Sequence, residues 1–325
     1  MRALLCRSLG SICNLEVAEM ASPPLGPGQV RVGVRASGIN FPDILMVEGK
    51  YQVKPELPFI PGLEVAGVVL ECAAGVAHVR PGDRVLAFAR RGGGHAEEVV
   101  VPAAIVTPIP ETMDFVTAAA FPVAYGTAHF ALTHRGHLAV GETLLVLGAA
   151  GGVGLAAIEV GKLLGARVIA AASSPEKLAI ARRHGADETI NYAADDLRDQ
   201  VRAFTDGRGV DVVFDPVGGD AFKHSVRCIA WEGRILVIGF ASGEIPQVAT
   251  NMILVKNFSV TGVVFGEHSS RFPDDTRRRL AKLLEAYAGG RLRPAVMRTY
   301  PLNDARAALE EMSNRRVAGK LVLVP

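Results

Sequence analysis

Between Leu144 and Gly154 the chain reads Leu-Leu-Val-Leu-Gly-Ala-Ala-Gly-Gly-Val-Gly. Four consecutive apolar residues without polar alternation suit a strand covered on both faces, as in a parallel sheet. The glycines that follow allow a sharp turn and a close approach of ligand to backbone. Behind them an apolar run through Leu164 predicts a helix, closed by Gly165. Exposed N–H groups at such a helix start, with the positive end of its dipole, suit a pyrophosphate. Ala149-x-Gly151-x-x-Gly154 is an A-x-G-x-x-G variant of the dinucleotide fingerprint, in the strand–turn–helix context that fingerprint needs.

The neighbouring chain extends the same pattern. Arg167–Ala172 reads as a strand, and a helix follows through His184, with Ser174 as N-cap, Pro175 at its first position and Gly185 as its stop. Further strands are expected at 188–190, 210–215 and 234–239, with helices between them. This alternation means βαβ units and a doubly wound parallel sheet. The first 110 residues differ: short alternating strands, such as Gln29–Arg35 and Glu64–Glu71, recur near every ten residues between Gly and Pro turns. That spacing suits a small antiparallel barrel or sandwich. Helices are expected over 274–288 and from Asn303 to Met312, and the chain ends in the strand Lys320–Val324. The tail is read as completing the first domain. The expected organisation is a catalytic domain from residues 1–122 and 261–325, interrupted by a dinucleotide-binding domain at 123–260.

Composition excludes several classes. A net charge of +2 over 325 residues argues against nucleic acid or an anionic membrane as the main partner. The four cysteines, at 6, 13, 72 and 228, have neither CxxC spacing nor a dense disulfide framework, which favours a reducing, cytoplasmic setting. No apolar run approaches the ~18 residues needed to span a bilayer. Cys/His spacings for zinc, an H-E-x-x-H helix and a G-x-S-x-G elbow are all missing. His95, after Gly92-Gly93-Gly94, reads as a loop histidine, with a mobile rim as the alternative; Trp231 is expected in the core.

The end of the second strand bears on which dinucleotide fits. An acid there would bind the 2′-OH of NAD and repel a 2′-phosphate. Here the chain reads Ser173-Ser174-Pro175-Glu176-Lys177, with hydroxyls where the acid is expected and a lysine one turn into the helix. Glu176 is the one acid nearby, and its place at a helix start equally suits a surface residue favoured by the dipole. NADP(H) is therefore the expected cofactor.

Several stretches together resemble the zinc-free quinone oxidoreductase branch of the medium-chain dehydrogenase/reductase superfamily, which includes zeta-crystallin. They are Ser37-Gly38-Ile39-Asn40-Phe41-Pro42-Asp43; Pro58 to Gly67; Gly141-Glu142, Leu145, Ala149 to Gly152, Gly154 and Lys162; Ile190-Asn191-Tyr192; and Gly319-Lys320-Leu321-Val322. Glu159 departs from the glutamine common there. Zinc alcohol dehydrogenases of the superfamily carry Cys near position 40 and Gly-His-Glu after the proline. This chain has Asn40 and Gly62-Leu63-Glu64, so no catalytic metal is expected. Without a Lewis acid, alcohol–ketone chemistry loses its means of stabilising an alkoxide, whereas a quinone or conjugated enone delocalises charge itself.

The resemblance implies a Rossmann sheet inserted in a GroES-like, β-barrel-type catalytic domain (an α/β protein), acting as an NADPH-dependent reductase of quinones or related conjugated carbonyls, with the nicotinamide between the domains. It implies Asn40, Asp43 and Tyr51 as catalytic, with Asn40 also beside the nicotinamide. Thr127 would lie on the nicotinamide ribose side. Ala150, Gly151, Gly152, Val153 and Gly154 would line the pyrophosphate; Ser173, Ser174, Lys177 and Tyr192 would surround the 2′-phosphate. Phe240, Phe265 and Gly266 would flank the nicotinamide. A homodimer joined through the nucleotide-binding sheets is implied as well. The alternatives are an enoyl-thioester or enone reductase and, from another class, a cofactor-binding structural or RNA-associated protein.

Overall fold

The computed structural model describes all 325 residues and divides into two compact units. One comprises Met1–Val123, Gly266–Gly289 and Pro294–Pro325; the other comprises Ala124–Phe265 and Gly290–Arg293. The second crossing therefore lies five residues beyond the boundary expected at 260/261. The reason is strand pairing: Ser259–Gly262 runs parallel to Arg234–Val237, so a break at 260/261 would cut a strand of the nucleotide sheet. The tail expected to belong wholly to the catalytic domain also gives four residues, 290–293, back to the nucleotide unit.

The first unit opens with an antiparallel pair, β1 (Arg2–Cys6) and β2 (Leu15–Glu19). Next come β3 (Gln29–Gly38), the short helix α1 (Phe41–Val47), β4 (Glu64–Cys72), β5 (Arg84–Phe88), β6 (Glu98–Pro102), β7 (Val106–Pro108) and α2 (Phe115–Ala119). β3 organises the sheet. It pairs with β4 along its length and with β6 over its first half, both antiparallel. Alternation makes this possible: Val30, Val32 and Val34 point into a core shared with Val65, Val69, Val85, Val99 and Val101.

In the second unit, α3 (Pro122–His129, entered from the first unit at residue 123) runs into a π-helical turn, Phe130–Arg135. Strands and helices then alternate: β8 (Thr143–Leu147), α4 (Gly152–Leu163), β9 (Arg167–Ala172), α5 (Pro175–Arg183), β10 (Glu188–Asn191), α6 (Leu197–Phe204), β11 (Val210–Asp215), α7 (Gly219–Cys228), β12 (Ile229–Val237), α8 (Thr250–Lys256) and β13 (Ser259–Gly262). All ladders are parallel, in the order β10-β9-β8-β11-β12-β13. This is the Rossmann order, with β8 as its first strand and the switch point between β8 and β11. Each of the five residues of β8 is buried. Burying one such Val or Leu side chain contributes roughly 1.5–3 kcal/mol, which pins the strand end from which the glycine loop departs. Trp231 is not a core residue: it is 68% exposed, beside the left-handed Glu232 where β12 is irregular.

The chain finishes with α9 (Phe265–Arg271), α10 (Pro273–Ala288), β14 (Val296–Pro301), α11 (Ala305–Ser313) and β15 (Lys320–Val324). β15 pairs antiparallel with the end of β3, at Val322↔Gly38 and Leu323↔Ser37. The C-terminus thus completes the first unit's sheet and brings Lys320 to the chain turn after β3. No helix is long and apolar enough to cross a membrane.

Candidate functional site

In the nucleotide unit the implied cofactor residues gather at the carboxyl ends of the parallel strands. The loop after β8 folds on itself through a hydrogen bond from the Gly151 N–H to the Gly148 carbonyl, 2.9 Å. Gly151 is the N-cap of α4 and provides no side chain to cap it, so the first N–H groups of the helix await an external acceptor. Gly154 is required sterically: a Cβ there would lie 2.5 Å from the Gly148 oxygen. Ala150 is buried beneath the loop, while Gly151, Gly152 and Val153 are half-buried at its surface.

The end of β9 carries Ser173, which is exposed, and Ser174, whose Oγ accepts the Lys177 N–H at 3.4 Å as the α5 cap. The Lys177 ammonium lies 3.5 Å from Ser173 Oγ. The Glu176 carboxyl is held below its usual range by a hydrogen bond from the Ser174 side chain and lies on the solvent side of the first turn. Tyr192 follows β10, with its N–H on the Ala172 carbonyl at 3.1 Å. After β12, Phe240 packs on the Gly218 loop that leaves β11. Asp215 closes β11, accepting the Val217 and Gly218 N–H groups at 2.8 and 2.9 Å; burial raises its carboxyl despite these bonds. Phe265 packs on Gly126, next to Thr127.

The first unit holds a different kind of cluster. Asn40, Asp43, Glu64, His95 and Lys320 are all buried. The Lys320 ammonium donates to Glu64 Oε1 at 2.6 Å, Asn40 Oδ1 at 2.6 Å and the Ile39 carbonyl at 2.8 Å. Asn40 Nδ2 donates to Glu64 Oε1 at 2.9 Å and the Gly38 carbonyl at 3.3 Å. Glu64 Oε2 accepts the Val123 N–H at 2.8 Å. The asparagine amide is therefore fixed in one orientation, its oxygen on the cation and its nitrogen on the carboxylate.

Asp43 is spent on backbone. Its Oδ2 accepts the Asn40 N–H at 2.8 Å at the head of α1, and its Oδ1 accepts the Gly62 N–H at 3.1 Å. It thereby ties the α1 turn to the Pro61-Gly62 loop. Beside it, Ser37 Oγ donates to the Glu64 carbonyl, so it accepts from His95 Nδ1 at 2.8 Å. That assigns the ring hydrogen to Nδ1 and leaves His95 Nε2 without a partner, 3.7 Å from Asp43 Oδ2. His95 lies in a loop as expected, but it is wholly enclosed and so is not a rim residue. Tyr51 follows α1 half-buried; burial and the Asp43 charge push its phenol upward against the opposing Arg90. Gly266 lies against Phe88 and Arg90 of this unit.

Two descriptions of known proteins fit this chain: an alcohol dehydrogenase GroES-like domain over residues 26–111 and a zinc-binding dehydrogenase over 152–284. The chain is 43% identical over 324 residues to a quinone oxidoreductase-like protein 2 homolog of Nematostella vectensis, covering 99% of this chain and 88% of that one. The chain belongs to the quinone oxidoreductase-like medium-chain dehydrogenase/reductases. Solved members share its fold throughout. The Pseudomonas syringae quinone oxidoreductase matches with a TM-score of 0.94 at 32% identity, covering 100% of this chain and 99% of its own. The Escherichia coli quinone oxidoreductase, solved with NADPH, matches with a TM-score of 0.91 at 28% identity over 100% of both chains.

Within this quinone oxidoreductase-like chain, both polar atoms of the Asn40 amide are engaged, by Lys320 and by Glu64. No group of three or more His, Cys, Asp or Glu side chains is placed to hold a metal ion. The partners that engage Asn40 carried no signal beyond their place: Glu64 and Lys320 each open a strand whose next residues are apolar.

Proposed function

We propose that this chain is an NADPH-dependent, metal-independent reductase of quinones and related conjugated carbonyl acceptors. The observation that carries the reading is the uncapped N-terminus of α4 beside a strand end bearing hydroxyls and the Lys177 ammonium, which suits a pyrophosphate followed by a 2′-phosphate. The residues present fit the cofactor. Backbone N–H groups of Gly152 to Gly154 would hold the pyrophosphate, Ser173, Ser174, Lys177 and Tyr192 the 2′-phosphate, and Thr127, Phe240 and Phe265 the nicotinamide side. The NADPH-bound Escherichia coli relative supports this choice.

When bound, NADPH supplies a hydride; the protein contributes orientation and exclusion of water. Tyr51, a phenol protonated at neutral pH at its ordinary value and outside the hydrogen bonds of the buried cluster, is the group assigned to give a proton to a reduced acceptor. Asn40 and Asp43 shape the loop that Tyr51 follows. A quinone or enone delocalises the charge it gains, so no metal is needed to stabilise it. Titration with NADPH and NADH, followed by a panel of quinones, enones and enoyl thioesters, tests the reading. Preference for NADH, or turnover of saturated alcohols with no reduction of quinones or enones, would sink it. Faster reduction of carbon–carbon double bonds than of quinones would move the acceptor to the enone class with the fold and cofactor kept.

The same reading includes a homodimer. β13 is the sheet edge; Leu254 and Val255 on α8 and Val264 in the turn after β13 stand exposed close to it in sequence, and Trp231 stands exposed on the adjoining strand β12. An unpaired strand flanked by apolar side chains suits β13 of a second copy. The Val263 N–H donates to the Val237 carbonyl at 3.0 Å, so by alternation the Val260 N–H faces away from β12. Val260→Pro removes that N–H, and a sedimentation experiment in which it stays as dimeric as the parent would refute the assembly.

A further inference from the structure

α4 is apolar along its length except for Lys162 in its last turn and Glu159, a buried carboxylate two turns from the phosphate loop. At a rise of ~1.5 Å per residue it stands roughly 10 Å along the helix from Gly152, so it serves something other than the phosphates. Both of its oxygens are engaged. Oε2 takes the Tyr125 hydroxyl at 2.7 Å and the Arg293 N–H at 2.9 Å; Oε1 lies 2.6 Å from His184 Nδ1. A carboxylate has no hydrogen to give, so His184 carries one on Nδ1. Burial and the Glu159 charge push the Tyr125 phenol strongly upward, which keeps it a donor in this contact.

One side chain therefore joins four separate pieces of the nucleotide unit: α3, α4, the end of α5 and the segment Gly290–Arg293. Tyr125 begins the sequence Tyr125-Gly126-Thr127, and the turn is held from its other side too. A Cβ at Gly126 would lie 2.5 Å from Phe265 Cζ, so the Phe265 ring rests directly on that backbone. Phe265 is braced in turn by Phe130, with ring centres 6.0 Å apart.

We infer that Glu159 is a positioning residue that sets where Thr127 stands for the nicotinamide end of the cofactor, acting through Tyr125, while leaving the phosphate cradle to the backbone. This rests on the reading of Thr127 as a nicotinamide-side residue. The position is specific to what it grips: a leucine would strand a phenol, an amide N–H and an imidazole N–H at once. A glutamine could keep the first two on its oxygen and offer its nitrogen to His184, provided His184 moves its hydrogen to Nε2.

The test compares Tyr125→Phe, Glu159→Leu and Glu159→Gln in the full chain. The readouts are NADPH Kd from fluorescence titration, kcat with a quinone acceptor, thermal midpoint and the imidazole nitrogen shifts of His184. Misplacement of a positioning group costs up to ~100-fold in rate, so Tyr125→Phe and Glu159→Leu are expected to lower kcat about 10-fold or more while NADPH Kd stays within about threefold. Glu159→Gln is expected to recover kcat to within about threefold of the parent, with His184 unprotonated at Nδ1. Unchanged kcat in Tyr125→Phe overturns the assignment, and that variant decides alone if Glu159→Leu does not fold. Equal losses in Kd and kcat also overturn it, because they mean general damage to the unit. A parent chain that binds no NADPH overturns the underlying reading and this assignment with it; a parent that binds and turns over while the variants behave like it overturns only this one.

Discussion

Replacing Lys320 by methionine isolates the most consequential contact in the first unit. Lys320 is 5% exposed and Glu64 fully enclosed, and the ammonium also holds Asn40 Oδ1 and the Ile39 carbonyl. Methionine fills much of the same volume, so packing is largely kept and the loss is electrostatic. What remains is a buried carboxylate with two N–H donors, Asn40 Nδ2 and the Val123 amide, and no cation. Breaking one side of a buried ion pair costs about 3–5 kcal/mol, because the surviving charge stays desolvated. For a domain of this size about 2–4 °C is lost per kcal/mol, so the thermal midpoint should fall by roughly 6–20 °C.

The double variant Lys320→Met with Glu64→Gln removes the stranded charge while keeping an acceptor for Val123. It should be more stable than Lys320→Met alone, and a double-mutant cycle in urea at neutral pH measures the coupling. The same cycle has a functional side: without Lys320 the Asn40 amide loses the partner that fixes its oxygen, so acceptor turnover should fall more than NADPH affinity. A midpoint within about 2 °C of the parent, or strictly additive effects of the two substitutions, would refute the view that this pair organises the cluster.

In the nucleotide unit, Lys177→Ala should raise the KM for NADPH about 10- to 100-fold, the worth of one charge-assisted contact, and leave NADH unchanged; an equal change with both cofactors would remove Lys177 from the 2′-phosphate. Gly154→Ala puts a methyl 2.5 Å from the Gly148 oxygen. NADPH affinity should weaken by at least about tenfold with the circular dichroism of the sheet retained, and unaltered affinity would refute the role of this close approach. Partial burial draws the Asp275 carboxyl upward, but hydrogen bonds from Arg279 and His268 outweigh it and hold the pKa at about 2. This is below the unfolded value of ~3.9, so the stabilisation is present above pH ~4 and is lost as pH falls towards ~2. The gap in melting temperature between the parent and Asp275→Asn should therefore close on acidification, and a gap independent of pH would contradict it.

Period and punctuation made the nucleotide unit legible. A buried parallel strand writes itself as an unbroken apolar run; β8 does so between Gly141 and Gly148, and β9 does so after Gly165. Ser174 and Pro175 marked the start of α5 because capping chemistry is local. Boundaries were less legible where long-range pairing decides them. Nothing within Ser259–Gly262 says that it joins the edge of a sheet begun over a hundred residues earlier. Trp231 failed for a related reason: its hydrophobicity argues for burial, but it sits beside a left-handed residue at an irregular place in β12, where the side chain turns outward.

The site residues divide along the same line between local and long-range information. A phosphate loop is built from backbone within eleven residues, so its glycines announce it. The buried cluster is assembled from five separated segments: Ser37, the Asn40–Asp43 turn, Glu64, His95 and Lys320. Each of its charges looks ordinary where it stands in sequence. Asp43 could equally have been read as a reactive carboxylate or a cap, and only the Asn40 and Gly62 N–H groups show how its oxygens are used. Tyr51 is the converse. Its phenol has no role in that bonding scheme and carries its proton at neutral pH as any tyrosine does. A half-buried phenol left out of the structural network is one the fold does not need for itself. That gives Tyr51 a stronger physical claim than Asn40 or Asp43 to act on an acceptor. Tyr51→Phe should accordingly lower turnover by ~10- to 100-fold with little effect on melting temperature, whereas Asp43→Asn, which weakens two backbone clamps, should lower the melting temperature first. The reverse pattern, a stable Asp43→Asn without activity and an active Tyr51→Phe, would return the chemistry to the carboxylate.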